Sequence, residues 1–266
     1  MSVRALVALC GAATLCQSTN PTAMRRSDAL VNIRSGLAAV ALPNEDNLVR
    51  AAGTPYAELP RVAPDARRLV LCRHGETVLN RWGLPQGRLL DVPLDGAGAV
   101  QARQLGAELA SGPPLVSVGS SPRARARQTA AAVATAALAA PGPVPRRLPP
   151  EPEIDELFGI ESASEARSRA RRALRVLAAQ LRAGEAGCWV SHSRFLRVLL
   201  LECGRSADIR VEDELRSARD YYRAGFAGLD LANAGISVVD VQADGRCVVR
   251  VVNSIGHLKG PGKRRS

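Results

Sequence analysis

Residues 69–77 read LVLCRHGET. The apolar run Leu69–Cys72 is followed directly by polar residues, a pattern typical of a buried strand that ends at a loop. His74 stands at the start of that loop, between Arg73 and Gly75. The stretch therefore predicts a buried strand whose carboxyl end carries a histidine and an arginine.

Similar apolar runs alternate with segments of helical spacing further along the chain. The expected strands are Leu115–Gly119, Gly187–Ser191, Ile236–Gln242 and Cys247–Val252, the last two joined by a hairpin turn at 243–245. The expected helices begin at the N-caps Asp95, Ser121 (before Pro122) and Ser162 (in a capping box with Glu165), and a fourth covers Phe195–Glu202. Pro141–Pro152 is expected to be a connection. This order predicts an α/β fold with three layers: a mostly parallel sheet with helices on both faces.

A second histidine also follows a strand. His192 comes directly after Gly187–Ser191, as His74 comes after its own strand. The carboxyl ends of parallel strands meet at one edge of the sheet, and ligands bind there. We therefore expect both histidines on one rim, together with arginines that follow the strand Leu115–Gly119.

The motifs on this rim resemble those of histidine phosphatases and cofactor-dependent phosphoglycerate mutases. Residues 71–77, LCRHGET, are similar to the R-H-G-E-T motif and the two residues before it. The match continues through Asn80, Gln86-Gly87 and residues 91–94, DVPL. Residues 120–130, SSPRARARQTA, are similar to S-S-x-L-x-R-A-x-Q-T-A, although Arg123 replaces a usual apolar residue and is expected at the helix surface. Residues 190–192 are similar to V-[ST]-H, with Ser193 in place of the usual glycine. Several motif blocks in one order make the resemblance specific.

The resemblance implies a role for each matched residue. His74 is implied as the nucleophile that becomes phosphohistidine. The residues implied to bind the substrate phosphate are Arg73, Asn80, Gln86, Gly87, Arg125 and His192, the last of them protonated. Chemistry agrees with this assignment, because a phosphomonoester dianion calls for a neutral nucleophile and for guanidinium forks that bind its oxygens. No cofactor and no metal are expected, since arginines supply the positive charge.

The general acid is the point at which the chain departs from the family. The usual motif is L-x-E-x-x-x-G, and residues 153–162 read EIDELFGIES, so that this motif and a later G-E-S motif run together. Matching Ile154-x-Glu gives Glu156 as the first choice, and counting four residues back from Gly159 gives Asp155 as the second. An exposed acidic loop without a catalytic role is the alternative.

One competing motif belongs to a different chemistry. Residues 188–194, CWVSHSR, have the C-x5-R spacing of cysteine-based phosphatases. That chemistry needs a tight loop of backbone N–H groups after the cysteine, and Trp189-Val190 are instead typical of the interior of a strand. Cys188 is therefore expected to be a buried thiol, like Cys72, Cys203 and Cys247.

The net charge of +11 suggests nucleic acid at first sight. The arginines are spread along the chain, however, and aromatic residues make up only 3%, too few for a platform on which bases stack. A bias toward alanine and arginine explains the charge equally simply. The expected partner is a small phosphorylated substrate, with no nucleic acid.

The first sixty or so residues differ from the rest. An apolar run, Ala5–Leu15, resembles the core of a signal peptide, and residues 18–49 resemble an organelle transit peptide. Together they resemble the two-part leader of proteins sent to complex algal plastids, with a disordered extension of a cytoplasmic protein as the alternative. The expected division is a leader at 1–66, a histidine phosphatase-like domain at 67–258 and a basic tail at 259–266. No other segment is long and apolar enough to cross a membrane, so no membrane is expected for the mature form.

The sequence thus predicts hydrolysis of a phosphomonoester, on a small metabolite, through a phosphohistidine. The first alternative is a phosphoglycerate mutase-type phosphotransferase, but mutases that resemble the chain carry a long insertion, whereas only 62 residues separate Thr129 from His192. The second alternative is a non-catalytic pseudoenzyme that binds phosphate and has lost its acid. The residues beyond the phosphate pocket do not identify the substrate.

Overall fold

The apolar run around Leu69 forms strand β1 (Arg67–Arg73), in the interior of a six-stranded sheet. The computed structural model describes residues 55–87, 90–157, 161–204 and 231–258. In these ranges the further strands are β2 (Leu115–Ser120), β3 (Arg146–Arg147), β4 (Ala186–Ser191), β5 (Ile236–Val241) and β6 (Cys247–Ser254). The helices are α1 (Val78–Arg81), α2 (Gly96–Ala110), α3 (Ala124–Ala139), α4 (Ala163–Ala179) and α5 (Ser193–Gly204), with 3-10 turns at Tyr56–Glu58 and Pro152–Ile154. Most of the predicted leader and all of the basic tail lie outside the described residues, and the predicted domain limits stay predictions.

The sheet is mostly parallel, as the sequence predicts. Its strands follow the order β3-β2-β4-β1-β5-β6. The first four run parallel to one another, and β5 runs antiparallel to β1 and to β6. The short strand β3 was not predicted, because its two residues lie inside the proline-rich segment that was expected to be a connection.

Helices cover both faces of the sheet, so the three-layer prediction is confirmed. Side chains alternate along β1, and Val70 and Cys72 pack with α2 and α3. Leu69 and Leu71 pack on the other face, with α4 and α5. No helix among the described residues has the length and apolar character needed to cross a membrane.

The helix caps are only partly as predicted. Asp95 caps α2 by accepting a hydrogen bond from the Gly98 N–H at 2.8 Å, and the Ser162–Glu165 capping box opens α4. The predicted cap at Ser121 is wrong, because α3 begins only at Ala124. The Asp91 carboxylate accepts a hydrogen bond from the Ala124 N–H at 2.6 Å and so caps the helix from another loop. This arrangement releases the Ser121 hydroxyl for a different contact.

Two glycines hold the loop after β1 against the start of α2. A Cβ atom at Gly75 would lie 2.5 Å from the Gly98 carbonyl oxygen, and one at Gly98 would lie 1.9 Å from the Glu76 carbonyl oxygen. No side chain fits at either position, because a backbone cannot yield as a flexible side chain can. The backbone that follows His74 is thus fixed by direct contact between main chains.

We predict that Gly98→Ala destabilises the protein by at least about 1–3 kcal/mol, the usual cost of an added methyl group in a packed site. Urea unfolding measures this loss. Gly96→Ala is the matched control, because the same helix begins there and a Cβ at Gly96 meets nothing within 4 Å. Equal free energies of unfolding for the two variants would contradict the proposed close approach.

Candidate active site

The two predicted histidines lie side by side. Strands β1 and β4 are parallel neighbours, with Arg73 opposite Ser191, and the next backbone N–H, that of His74, donates to the Ser191 carbonyl at 3.1 Å. The centroids of the His74 and His192 rings are 5.2 Å apart. Both rings are buried. The sheet therefore brings the two histidines to one rim, as the sequence predicts.

The His74 ring is fixed as one tautomer. Its Nδ1 lies 2.7 Å from the carbonyl oxygen of Gly75. A carbonyl oxygen only accepts, so Nδ1 carries the proton in the neutral ring and Nε2 keeps its lone pair. Burial, and then the charges of Arg73 and Arg125, hold the pKa of His74 well below its usual range. The ring is therefore neutral at neutral pH, with Nε2 as its basic atom.

Two buried arginines flank this ring. Arg73 donates from Nη1 to the Leu231 carbonyl at 2.6 Å. Arg125, only 1% exposed, donates from Nη1 and Nη2 to the carbonyl oxygens of Leu90 and Gly87, both at 3.1 Å. Its Nε is buried and has no hydrogen-bond partner among the described residues. Backbone carbonyls thus orient both guanidinium groups.

Gln86 and Gly87 reach the site through Arg125. The Gly87 carbonyl is one of the two that Arg125 binds, and Gly87 has a positive φ of 54°. The Gln86 Oε1 atom is buried without a hydrogen-bond partner in the described part of the chain. The structure thus links this segment to the arginine that the resemblance implies as a phosphate ligand.

His192 makes a contact that the sequence did not predict. Its Nε2 lies 2.6 Å from the Ser121 hydroxyl oxygen and 3.6 Å from an Asp155 carboxylate oxygen. Its Nδ1 is buried and has no partner among the described residues, so this atom faces no competing group of the described chain. The Ser120-Ser121 pair of the motif was the available signal, but a helix cap explained it.

The protonation of His192 that the resemblance implies stays a prediction for the phosphate-bound site. Burial is the main reason that the pKa of His192 lies well below its usual range, and His74 and the nearby arginines add to it. The neutral ring is therefore favoured. A phosphate dianion bound between these groups would act in the opposite direction, because an adjacent negative charge favours the protonated ring.

The two candidate acids differ sharply in their surroundings. Glu156 is 8% exposed, and burial raises its pKa, although the Leu157 N–H, which donates to Oε1 at 2.9 Å, and the charges of Arg194, Arg125 and Arg73 oppose this shift. Asp155 is bound by Arg123, whose Nη2 lies 2.6 Å from Oδ2 and whose Nε lies 3.0 Å from both oxygens. Arg123 therefore does not simply lie at the helix surface, as expected, but holds this carboxylate. The alternative of an exposed acidic loop is wrong, because both carboxyl groups are buried.

Arg169 anchors the acidic segment. Its Nη1 donates to the carbonyl oxygens of Glu153 and Asp155, both at 2.9 Å, and its Nε and Nη2 bind Glu161 at 2.7 and 2.9 Å. The Ser191 hydroxyl adds a bond of 2.6 Å to the Ile154 carbonyl. We did not predict Arg169 as a site residue, although its position on the apolar face of α4 was a usable signal.

Asn80 contacts the backbone of His74 through one other residue. The Asn233 Nδ2 atom donates to the His74 carbonyl at 3.0 Å and to the Asn80 Oδ1 at 3.2 Å. Because Oδ1 accepts here, the Nδ2 group of Asn80 is its donor for a ligand. Asn233 was missed, since it lies far along the chain and outside every motif block.

Cys188 does not form a phosphate-binding loop. It lies inside β4, fully buried, with its Sγ 3.9 Å from the Sγ of Cys72. The backbone N–H groups that follow it belong to the ladders with β1 and β2. In the described ranges, moreover, no three His, Cys, Asp or Glu residues are grouped so that they could hold a metal ion.

The fold and the site together define a phosphoglycerate mutase-like α/β protein. Residues 69–148 match the sequence profile described as the histidine phosphatase superfamily (branch 1). This segment contains the His74 motif and the block around Arg125. The resemblance to histidine phosphatases that the sequence predicts is therefore confirmed over this segment.

Solved structures show the same fold at low identity. Phosphoserine phosphatase from Entamoeba histolytica is 19% identical, with a TM-score of 0.55 over 73% of this chain and 100% of that one. YhfR from Bacillus stearothermophilus is 19% identical, with a TM-score of 0.56 over the same shares. Phosphoglycerate mutase from Bacillus anthracis is 16% identical, with a TM-score of 0.54 over 73% and 96%. No curated protein matches the chain in sequence.

The histidine environment can be tested directly by NMR, since the chain has only three histidines. We predict that His74 carries its proton on Nδ1 at neutral pH and titrates below the usual range. Arg125→Met should raise its pKa, because removing a nearby positive charge makes protonation less unfavourable. Arg127→Met, at an exposed position of the same helix, should leave it unchanged. A neutral ring protonated on Nε2 would contradict the tautomer.

Proposed function

We propose that the chain hydrolyses a phosphomonoester of a small metabolite through a phosphohistidine at His74. In the first step Nε2 attacks phosphorus, the bond to the ester oxygen breaks, and Glu156 gives its proton to the leaving alcohol. In the second step the Glu156 carboxylate takes a proton from water, whose oxygen attacks phosphorus and displaces the ring. The products are the alcohol and inorganic phosphate, and the enzyme returns to its starting state.

The state of His74 is the observation that carries this proposal. A nucleophilic histidine needs a lone pair directed at phosphorus, and the bond from Nδ1 to the Gly75 carbonyl leaves that lone pair on Nε2. The same bond places the proton so that the ring can bear positive charge once Nε2 is phosphorylated. A histidine of purely structural role has no need of two flanking arginines that disfavour its protonation.

The phosphate is proposed to lie among Arg73, Arg125, His192 and Asn80. Both guanidinium groups are oriented by carbonyl oxygens, and fixed donors of this kind stabilise the charge that builds up on the phosphoryl oxygens. The buried Nδ1 of His192 and the Nδ2 of Asn80 supply two further donors. A bound dianion would favour protonation of His192, so that ring would become a cationic donor only with substrate present.

Glu156 is proposed as the general acid and Asp155 as a positioning residue. A general acid must hold its proton in the pH range of the reaction, and burial raises the pKa of Glu156 in that direction. The Asp155 oxygens are engaged by Arg123 and by the Glu156 N–H at 2.8 Å. Asp155 thus aligns the backbone of Glu156 and lies near His192.

A phosphatase is favoured over a mutase by the short connection between Thr129 and His192. The buried glutamate beside the arginines speaks against a pseudoenzyme that has lost its acid. The names of structural neighbours, which include phosphoserine phosphatase and a mycobacterial glucosyl-3-phosphoglycerate phosphatase, support a phosphorylated metabolite as the substrate class.

Dependence on pH separates the two carboxyl groups. With glycerol 2-phosphate, kcat/KM should rise as His74 loses its proton, at pH below its usual range, and fall as Glu156 loses its proton, at pH above the usual range of a glutamic acid. Glu156→Gln should lower kcat by about 10²–10⁴ and remove the alkaline limb. The loss should be smaller with p-nitrophenyl phosphate, whose leaving group needs no proton. The Asp155→Asn variant should keep the alkaline limb of the profile. Loss of that limb in this variant would identify Asp155 as the general acid.

Trapping of the intermediate tests the nucleophile. Enzyme quenched during turnover of ³²P-labelled substrate should retain label that is stable in alkali and lost in acid, as expected for a phosphoramidate. His74→Ala should abolish label and turnover. Cys188→Ser is the control and should keep both, because its thiol is buried inside β4. Label that survives in His74→Ala, or disappears in Cys188→Ser, would overturn the proposal.

A further inference from the structure

A second cavity lies at the opposite end of the sheet from His74. Its volume is about 720 Å³, and its walls come from α4, α5 and the hairpin between β5 and β6. We call it the arginine cavity and define it by Arg67, Arg167, Arg171, Arg175 and Glu202. Nothing in the proposed reaction uses these residues.

The charges of the arginine cavity are unbalanced. Among the described residues that line it, four guanidinium groups face one carboxylate, which leaves three positive charges in this set. Glu202 binds Arg167 at 2.9 Å and Arg171 at 2.8 Å. In the described ranges no carboxylate lies within 4 Å of the guanidinium of Arg175 or of Arg67. One buried acid therefore serves two of the four arginines.

The spacing of the arginines adds to this imbalance. Arg167, Arg171 and Arg175 follow one another at intervals of four residues, so they lie along one side of α4. Like charges at this spacing repel one another and destabilise a helix. An anion in the cavity would turn this repulsion into attraction.

The chemistry of the walls indicates what kind of anion fits. Guanidinium forks match the oxygens of phosphate and carboxylate groups. Arg67 is already held at the wall, since its Nε donates to the Leu181 carbonyl at 3.0 Å. Leu174 and Val241 add apolar surface, and a volume of this size is typical of sites for small organic ligands.

We propose that the arginine cavity binds a small organic polyanion that carries phosphate or carboxylate groups. The site is distinct from the catalytic one. Arg67 and Arg73 stand at opposite ends of β1, and six residue steps along a strand span roughly 20 Å. The two sites therefore share no ligand, and substitutions can separate them.

Calorimetric titration with inorganic tripolyphosphate tests the proposal on the full chain. Arg175→Gln removes one exposed cation of the cavity and should weaken binding roughly tenfold, as the loss of one charge-assisted contact does. The pair Arg171→Glu and Arg175→Glu should weaken it by about two orders of magnitude or more. Arg103→Gln is the matched control, an exposed arginine of α2 on the other face of the sheet, and should bind like the parent.

Two results would overturn the proposal. Equal weakening in Arg103→Gln and Arg175→Gln would mean that the probe responds only to the overall charge of the protein. Loss of this binding event in Arg73→Ala would mean that the probe occupies the catalytic rim; persistence there supports the separate site. Arg175 is exposed, so the Arg175→Gln variant is expected to fold. This single variant decides the test if the variant with both Arg171→Glu and Arg175→Glu does not fold.

Discussion

Parallel pairing of β1 with β4 is the constraint from which the rest of the site follows. The pairing places Arg73 opposite Ser191 and extends one bond further, from the His74 N–H to the Ser191 carbonyl. His74 and His192, which directly follow these two strands, are therefore placed side by side. A slip of one residue in this register would direct one ring to the other face of the sheet. The apolar alternation along β1, with Leu69 and Leu71 on one face, therefore determines the geometry of the rim that carries the two histidines as well as that of the core.

Electrostatic cost is concentrated at this rim. The two histidines, Arg73 and Arg125 are buried together, and each cation lowers the tendency of its neighbours to be protonated. Backbone carbonyls orient the guanidinium of Arg125, and the charges of Glu156, Asp155 and Asp91 partly offset the effect of burial on its pKa. If these residues bind phosphate as proposed, the donors need no reorganisation when the dianion arrives, and the cost of burying them together is offset only in the complex.

The close contact between Gly75 and Gly98 explains why this arrangement persists. The charges of Arg73 and Arg125 both act on His74 in this loop. Contact between the two main chains holds the loop, and the Thr129 hydroxyl accepts a hydrogen bond from the Gly75 N–H at 3.1 Å. The loop is thereby held by α2, which contains Gly98, and by α3, which contains Thr129, and both helices pack on the same face of the sheet.

Local signals in the sequence predicted the fold and most of the rim. Apolar runs of strand length, caps such as Asp95, and the motif around His74 each depend on neighbouring residues, so a single sequence displays them. The contacts that the sequence did not predict are those between segments that are distant along the chain. Asp91 caps α3 from another loop, Ser121 turns to His192, and Asn233 bridges to His74. The partner in each of these contacts can be identified only once the sheet has brought the two segments together.

The acidic segment is a second case in which the sequence alone did not predict the contacts that matter. The sequence presented Asp155 and Glu156 as adjacent and equivalent, and spacing to Gly159 gave no decision between them. The surroundings of the two carboxyl groups differ because of residues that are distant in the sequence. Arg123 binds the Asp155 carboxylate, and Arg169 binds the backbone around it. The difference between these two carboxyl groups therefore depends on tertiary contacts, which the local sequence does not display.

Arginine burial also divides the high positive charge of the chain into separate groups. Arg68 is matched by Asp240 at 2.8 Å, and Arg169 is matched by Glu161 and two carbonyls, so both act within the fold. Arg169 and Arg171 lie two residues apart on α4, and a helix turns about 200° over two residues, so they point to opposite sides. The inward one binds a carboxylate and two carbonyls, whereas in the row Arg167, Arg171 and Arg175 the ion pairs with the described part of the chain all go to Glu202. A general bias toward arginine explains the number of these residues, but the contrast between their partners follows from where each one lies.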